Sequence, residues 1–485
     1  MLSANFPVLG IVALLMTAYL LPLVAMRRMR LGQGLAGLIL ALSAVYSALL
    51  FYDVLDSGPV YYAMGGWEAP WGIELAITPL SAFVMTVATG LTALVALSLP
   101  QELVDWSKRK AGWYITLLLL LTAALLGITM ANDLFNLYVF TEVSTLAACA
   151  LVSAKKDRNA TDAAFKYLML GAIGSGFILF AIGITYVITG HLNMGFAAAV
   201  FAASDLHPII PWVMSAFYLV GFGVKAGLFP LHVWLPDAHS SAPTTASALL
   251  SGVVVKVFAV AMARVFFGLF GSAALETMGI AGMVRLMAAA SILAGSAFAV
   301  VQTDIKRLLA YSTVAQVGYI FLGFGVGGVV GVAAALYHVL AHGLMKSILF
   351  LTAGKVIAIN GTREISGFEG MGPKLPLPMG AFSLAALSMI GLPLLAGFAT
   401  KWYLFNAGLS AQIYWLPVLI IISGLLNAAY FLPIVWKIWF GVSEAEATDR
   451  RVPGLLVLVA VLAVIGLVPG AVLDLLEQAA GWLIS

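Results

Sequence analysis

The sequence predicts an all-α polytopic membrane protein with about fourteen transmembrane helices. Of its 485 residues, 62% are hydrophobic and only 9% are charged, whereas soluble domains average roughly 25% charged residues. Mean hydropathy is +1.06, and the apolar residues fall into runs near the length of about 20 residues that a transmembrane helix needs. The longest connections run to roughly 20 residues, against at least about 50 for a soluble domain, so we expect one integral membrane domain over residues 1–485.

The distribution of basic residues predicts the orientation of the chain. The runs begin near residues 5, 33, 75, 112, 134, 164, 209, 244, 279, 308, 330, 379, 414 and 453. The connections after runs 1, 3, 5, 9, 11 and 13 contain Arg27, Arg28 and Arg30; Lys108, Arg109 and Lys110; Lys155, Lys156 and Arg158; Lys306 and Arg307; Arg363 and Lys374; Arg450 and Arg451. By the positive-inside rule these connections are cytoplasmic, and both termini lie on the outer, periplasmic face. No Lys or Arg precedes the first run, which predicts a retained helix and not a cleaved signal.

Two of the runs are interrupted and each holds one lysine. Run 7 (Pro211–Phe229) contains Lys225 and is followed by Pro230, and run 12 (Pro378–Phe405) contains the break GLPLLAG and Lys401. The two runs enter the membrane from opposite sides. Matched breaks of opposed orientation are typical of inverted repeats, which place an ion or substrate site at the repeat interface. We therefore predict that helices 7 and 12 are discontinuous.

Run 5 holds one carboxylate near its middle, Glu142, and another at its outer end, Asp133. An apolar environment disfavours a lone charged carboxylate, so Glu142 is neutral or paired, and Lys225 is its natural partner. Ionisable residues at membrane depth are functional sites by default, which favours an ion pathway. The alternative is that Glu142 and Lys225 form an ion pair that only joins two helices structurally.

Lys256 lies inside the eighth run, with no acidic residue nearby in the sequence. A buried lysine can hold or release a proton near neutral pH, so Lys256 is predicted to be a proton carrier. The alternative, a side chain that extends to the membrane interface, fits Arg264 better because Arg264 lies near the outer end of the run.

Run 11 places three ionisable side chains on one helix face. His338, His342 and Lys346 follow each other at intervals of four residues in ALYHVLAHGLMKSILFL. Histidine titrates near physiological pH and can relay protons. One alternative is a metal site, but the zinc-protease pattern needs Glu after the first His, and Val339 stands there. Another is that both histidines are bonded to neighbouring helices.

Lys401 follows the break in run 12, and His239 follows the break in run 7. The adjacent Trp402 and Tyr403 would also suit an interfacial position for Lys401, but the run continues apolar beyond them. We predict that protons move through Glu142, Lys225, Lys256, His338, His342 and Lys401, supported by Asp133, His239 and Lys346.

The sequence offers no catalytic centre, cofactor site or metal site. Its one cysteine, Cys149, excludes an intramolecular disulfide and any thiolate cluster. The pattern GFGVGG (Gly323–Gly328) imitates a dinucleotide loop, but no strand precedes it. The glycines in GAIGSGF (Gly171–Phe177) predict close helix packing.

The chain resembles the antiporter-like membrane subunits shared by Mrp-type multisubunit cation/proton antiporters, respiratory complex I and membrane-bound hydrogenases. The matching stretches, in the family's order, are DLFNLYVFTEV, VGFGVKAGLFPLHVWLPDAHSSAPTTASALLSGVVVKV, TDIKRLLAYSTVAQVGY, YHVLAHGLMKSILFL and GLPLLAGFATKWYL. Within the family, EAPWGIEL, TGHLNMG, SALLSGVVVKV and the sequence Lys401-Trp402-Tyr403 resemble the D-type subunit of Mrp antiporters and its relatives in hydrogenase complexes.

The resemblance implies two inverted five-helix repeats, helices 4–8 and 9–13. It divides the chain into residues 1–111 (helices 1–3), 112–271 (first repeat), 272–440 (second repeat) and 441–485 (helix 14 and the C-terminus). It also implies that Glu142 and Lys225 are the charged pair of the first half-channel and that Lys256 is the central carrier. His338 and His342 then connect Lys256 to Lys401, which lies at the exit of the second half-channel. Some relatives have Glu at the position of Lys401.

We therefore expect a proton-translocating subunit of a multisubunit complex in the plasma membrane, most simply a Mrp-type Na⁺/H⁺ antiporter. The expected partners are other membrane subunits, lipid, protons and Na⁺ as a candidate coupled cation, with no nucleic acid. One alternative is the proton-pumping arm of a complex I-like or hydrogenase-like oxidoreductase, whose redox centres would lie in other subunits. A second, a non-conducting scaffold, is disfavoured by the number of ionisable residues at membrane depth.

Overall fold

Helices account for 83% of the computed structural model, which describes residues 6–155, 157–204, 206–443 and 451–484. The predicted basic residues Lys156 and Arg450 lie outside the described residues. The first eleven helices are α1 (Phe6–Arg27), α2 (Met29–Ser57), α3 (Pro79–Ala96), α4 (Leu99–Glu102), α5 (Lys108–Met130), α6 (Leu134–Val152), α7 (Arg158–Thr189), α8 (Met194–Ala203), α9 (Ile209–Ala226), α10 (Trp234–Ser241) and α11 (Thr244–Leu249). The others are α12 (Val255–Phe270), α13 (Ser272–Thr277), α14 (Ile280–Val300), α15 (Ile305–Val326), α16 (Gly328–Asn360), α17 (Met371–Lys374), α18 (Pro376–Ile390), α19 (Ala396–Ser410), α20 (Trp415–Phe440), α21 (Leu455–Leu467) and α22 (Pro469–Ile484).

The predicted fold class, an all-α polytopic membrane protein, is confirmed. Within the described ranges, twelve helical segments are long and apolar enough to cross a membrane, or thirteen if the bent pair α21 and α22 is one span. The predicted run 12 is outside this count because it is divided into α18 and α19, of 15 residues each. The last run also differs from one straight helix, because α21 and α22 meet at 86° where Pro469 begins a new helix.

Both predicted interruptions are breaks between helices. α9 ends at Ala226 and is followed by the capping residue Gly227, whose φ is +70°; α10 begins at Trp234. α18 ends at Ile390 and is followed by the capping residue Gly391, whose φ is +93°; α19 begins at Ala396. Glycine adopts these left-handed values without the steric penalty that a Cβ brings, so both helices end at a residue suited to ending them.

A small antiparallel sheet precedes the third membrane helix and was not predicted. Strand β1 (Val60–Ala63) pairs with β2 (Glu74–Ile77), with Val60 opposite Ile77. The third helix therefore begins at Pro79 and not near residue 75. Thr78 and Ser81 cap it reciprocally and proline is favoured at the first helical position, which fixes that start.

Glycines bring α7 close to its neighbours, as the sequence predicted. A Cβ on Gly171 would approach Thr145 Cγ2 of α6 to 2.9 Å, and one on Gly174 would approach the Gly221 carbonyl oxygen of α9 to 3.1 Å. The predicted close packing is confirmed at Gly171 and Gly174, whereas a Cβ on Gly176 would meet nothing within 4 Å. This packing holds α6 and α9, which carry Glu142 and Lys225, against the same face of α7.

Candidate functional site

The predicted partners Glu142 and Lys225 lie next to each other. Lys225 Nζ is 3.3 Å from Glu142 Oε1 and donates to the Thr145 hydroxyl at 2.7 Å. The Ser175 hydroxyl of α7 also donates to Glu142 Oε1. The Lys225 side chain is fully buried, whereas that of Glu142 is 33% exposed. The pair is thus enclosed on the lysine side and open on the carboxylate side.

The break after α9 helps to hold Lys225 in place. Lys225 is the second-last residue of α9, where the carbonyl ends of the helix attract a positive charge. Trp234 Nε1, from the far side of the break, donates to the Val224 carbonyl at 2.7 Å. The Val224 carbonyl near the end of α9 is therefore partnered across the break, and the Lys225 side chain is directed at α6.

Lys256 lies in the first turn of α12, directly after a π-helical turn at Leu250–Val254. Its side chain is 1% exposed, and Nζ donates to the Ser251 carbonyl. A π turn shifts the helical hydrogen bonds and changes which carbonyls are free for another donor. The Ser251 hydroxyl in turn bonds the Thr313 hydroxyl of α15 at 2.7 Å.

The three ionisable residues of α16 are all buried on one face of the helix. The His338 and His342 rings stack with centroids 5.3 Å apart. Lys346 Nζ donates to the Leu309 carbonyl at 2.8 Å and to the Ser312 hydroxyl. Neither ring nitrogen of His342 has a partner among the described residues. The alternative that both histidines are bonded to neighbouring helices therefore fits His338 and not His342.

Lys401 lies across the break between α18 and α19. Its Nζ donates to the carbonyls of Met389 and Ile390, at 3.2 and 2.6 Å, at the end of α18. The preceding residue, Thr400, places its hydroxyl 3.2 Å from His338 Nδ1. Lys401 is 8% exposed, so it does not occupy the alternative interfacial position.

Lys306 is buried within this region, whereas the sequence predicts that it lies in the connection after run 9. Its Nζ donates to the Ala242 carbonyl at 2.8 Å and to the Ser247 hydroxyl at 3.2 Å. Ser247 donates to the His239 carbonyl at 2.9 Å. Asp304 caps α15, so Lys306 already lies in the first helical turn. That capping aspartate was the signal in the sequence.

His239 lies between Lys306 and the central lysines. Its ring stacks on Phe350 at 5.2 Å and is fully buried, and neither nitrogen has a partner in the described part of the chain. Lys306, Lys346 and Lys256 are all electrostatic neighbours of this ring. The predicted supporting residues His239 and Lys346 are thus close to Lys256.

Asp133 lies apart from this group. Its carboxylate caps α6, accepting from the Asn136 backbone at 2.8 Å, and burial raises the pKa of the Asp133 carboxyl. Glu142 lies more than two turns further along the same helix. The structure therefore does not bring Asp133 into the row of buried cations.

The expectation that Arg264 extends to the membrane interface is wrong. Its guanidinium is 8% exposed and donates to the carbonyls at the end of α5, which belong to Ile128, Thr129 and Ala131, at 3.1, 2.6 and 2.8 Å. Those carbonyls lack helical partners, and a guanidinium can bond several of them at once. Arg264 therefore joins α12 to α5.

Several of these buried ionisable side chains lie near one another. Lys256 is an electrostatic neighbour of His338, His342 and Lys346, and Lys401 is a neighbour of His338. Positive charges so close together in an apolar interior repel strongly, so the group cannot hold a proton on every member at once. Within the described ranges, no set of three His, Cys, Asp or Glu residues could hold a metal ion.

Comparisons with known proteins agree on the family of this chain and leave two kinds of parent complex open. Residues 131–427 match the family model described as NADH:quinone oxidoreductase/Mrp antiporter, TM. NADH-quinone oxidoreductase subunit N of Desulforudis audaxviator is 40% identical over 93% of this chain and 90% of its own length. The D-type subunit of the Na⁺/H⁺ antiporter of Alkalihalophilus pseudofirmus is 29% identical over 88% and 84%. A chain of the membrane-bound sulfane sulfur reductase, an archaeal respiratory membrane complex, matches all of this chain and 98% of its own with a TM-score of 0.93 and 29% identity.

Proposed function

This chain belongs to the family of NADH:quinone oxidoreductase/Mrp antiporter transmembrane subunits, and on that premise we propose that it translocates protons within a multisubunit membrane complex. Protons pass along a buried row that runs from Lys256 through His342 and His338 to Lys401. Glu142 and Lys225 form a separate charged pair whose state is coupled to that row.

The contact between His338 and Thr400 is the observation that carries this proposal. It joins α16, with its row of two histidines and Lys346, to α19 at the residue before Lys401. Lys256, His342 and Lys401 are also buried, and each meets a backbone carbonyl or another residue of the row. Buried ionisable groups at membrane depth are costly, and proton relays are a principal reason for their presence.

We also propose the division of the chain that the sequence indicates. Residues 112–271 and 272–440 are the two inverted repeats, residues 1–111 are an N-terminal part and residues 441–485 a C-terminal part. The breaks at Gly227 and Gly391 occupy corresponding places in the two repeats and support this division. The basic connections face the cytoplasm and both termini face outwards.

Two parent complexes are candidates. The resemblance of EAPWGIEL and the Lys401-Trp402-Tyr403 sequence to D-type subunits favours a Mrp-type Na⁺/H⁺ antiporter, with Na⁺ as the coupled cation. The 40% identity with a NADH-quinone oxidoreductase subunit N and the likeness to a respiratory membrane complex favour a redox-driven proton pump. In both, the partners are other membrane subunits.

Purification of the intact complex from its membrane would decide between these two parent complexes. The antiporter predicts only membrane subunits without redox centres, and Na⁺ would drive proton movement in vesicles. The redox pump predicts co-purifying subunits that carry redox centres, and proton movement would follow electron transfer. Proton translocation itself is tested in either complex by Lys256→Ala, which should abolish it while the complex still assembles.

A further inference from the structure

α15 and α20 present matching polar side chains to each other inside the bundle. The six residues, all at most 3% exposed, are Ser312, Gln316 and Tyr319 on α15 and Ser423, Asn427 and Tyr430 on α20. On each helix the intervals are three and four residues, which places the three side chains on one face. We call these six residues the polar ladder.

At each end of the polar ladder, a hydroxyl of α15 lies opposite a hydroxyl of α20. We call these two positions the outer levels and the position between them the middle level. The Tyr319 hydroxyl bonds the Ser423 hydroxyl. At the other end, the Tyr430 hydroxyl donates to Asn427 Oδ1 and has the Ser312 hydroxyl as a neighbour. Ser312 thus faces Tyr430 while Tyr319 faces Ser423, so α15 and α20 run antiparallel.

The middle level contains amides without partners. Both amide atoms of Gln316 and the Nδ2 atom of Asn427 lack a partner among the described residues, although both side chains are fully buried. An unpaired buried amide is costly. Buried water typically makes about three hydrogen bonds to otherwise unsatisfied polar groups, and these amide atoms offer that number of donors and acceptors.

The polar ladder begins and ends at two of the buried lysines. Lys346 Nζ donates to the Ser312 hydroxyl at one end. At the other end, Lys401 Nζ lies 5.6 Å from the centroid of the Tyr319 ring. A Cβ on Gly424, the residue after Ser423, would lie 3.9 Å from the same Nζ. The backbone of α20 therefore passes directly beside Lys401.

We propose that the polar ladder is a second proton route from Lys346 to Lys401, parallel to the histidine row, with water bound by Gln316 and Asn427 at its middle level. This proposal rests on the proposed function. Each hydroxyl or water accepts a proton on one side and releases its own proton on the other. None of them gains or loses a proton overall, and the amides orient the water without carrying charge.

The competing explanation is that the polar ladder only packs α15 against α20, since hydroxyl and amide side chains also join membrane helices. Packing predicts a loss of stability when a hydroxyl is removed. A proton route predicts a loss of rate that depends on whether the histidine row is intact. The two explanations therefore differ in how a ladder variant combines with a variant of the row.

The test measures proton translocation by the whole complex in vesicles, per assembled complex, for Tyr430→Phe, Thr400→Val and their combination. Tyr430→Phe removes one ladder hydroxyl, and Thr400→Val removes the contact with His338. Because parallel routes replace each other, each single variant should slow transport only about twofold and the combination by at least about tenfold. Tyr218→Phe is the matched control, since it removes a buried hydroxyl bonded to Thr185 at 3.1 Å outside both routes.

Each outcome has a definite meaning. A combined loss greater than the product of the single losses supports the second route, and a combined loss equal to that product contradicts it. The proposal is overturned if Tyr430→Phe has no effect in either background, or if it abolishes transport alone, because the ladder would then be inert or in series. If Tyr430→Phe does not assemble, Tyr319→Phe tests the opposite level in the same way. Persisting transport in Lys256→Ala would instead reject the proposed function.

Discussion

Lys401 Nζ and the Ile390 carbonyl oxygen are 2.6 Å apart, across the break that divides α18 from α19. Lys401, in the second turn of α19, thus bonds carbonyls at the C-terminal end of α18. A carbonyl partner stabilises an ammonium without neutralising it, unlike the carboxylate that Lys225 meets. The two lysines at the two breaks therefore have different surroundings, and their replacement should have different consequences.

Glu142→Gln should abolish proton translocation while the complex still assembles. The change keeps the shape of the side chain but leaves the buried Lys225 without an opposite charge at 3.3 Å. Proton-gradient formation in vesicles is the measurement. Glu276→Gln is a suitable control, because it removes a carboxylate that pairs with Arg285 but is itself 59% exposed. Near-normal transport by Glu142→Gln would remove Glu142 from the mechanism.

The predicted orientation can be tested by labelling with a membrane-impermeant thiol reagent. Ser57→Cys should react in intact cells, and Asp157→Cys should react only after permeabilisation. The native Cys149 is buried and should not contribute to the signal. The reverse pattern would overturn the predicted orientation.

Arg264→Met should destabilise the protein without acting on the proton row directly. Three carbonyls at the end of α5 lose their donor, and each buried unsatisfied group costs about 1–3 kcal/mol. The unfolding temperature of the purified complex should fall, while the transport rate per folded complex is retained. An unchanged unfolding temperature would show that these bonds contribute little to stability.

Lys306→Met should slow translocation although Lys306 adjoins a predicted cytoplasmic connection. It lies buried next to Ser247 and His239, at the end of the group that includes Lys346. Replacing the neighbouring Arg307, whose side chain is 41% exposed, with Met provides the control. Equal rates for both variants would mean that Lys306 only anchors the Ala242 carbonyl.

The helix breaks and the Glu142–Lys225 pair could be predicted because local features of the sequence indicate them. Glycine and proline mark the breaks in helices 7 and 12 directly, and Glu142 is the only carboxylate in the middle of its run, so its pairing with Lys225 followed. Lys306 was misplaced because the start of α15 is set by one capping residue. The ladder partners Tyr319 and Ser423 could not be predicted, because hydroxyls are common in membrane helices and their pairing depends on how α15 and α20 are rotated.

The most direct test of proton carriage compares arginine and alanine at Lys256 and at Lys401. Arginine keeps a positive charge at physiological pH but cannot release its proton, so it preserves a fixed charge and removes a carrier. We predict that Lys256→Arg and Lys401→Arg block pH-gradient formation in vesicles about as severely as Lys256→Ala and Lys401→Ala. Normal transport by both arginine variants, with failure of both alanine variants, would show that these lysines are structural cations and would contradict the proposed proton row.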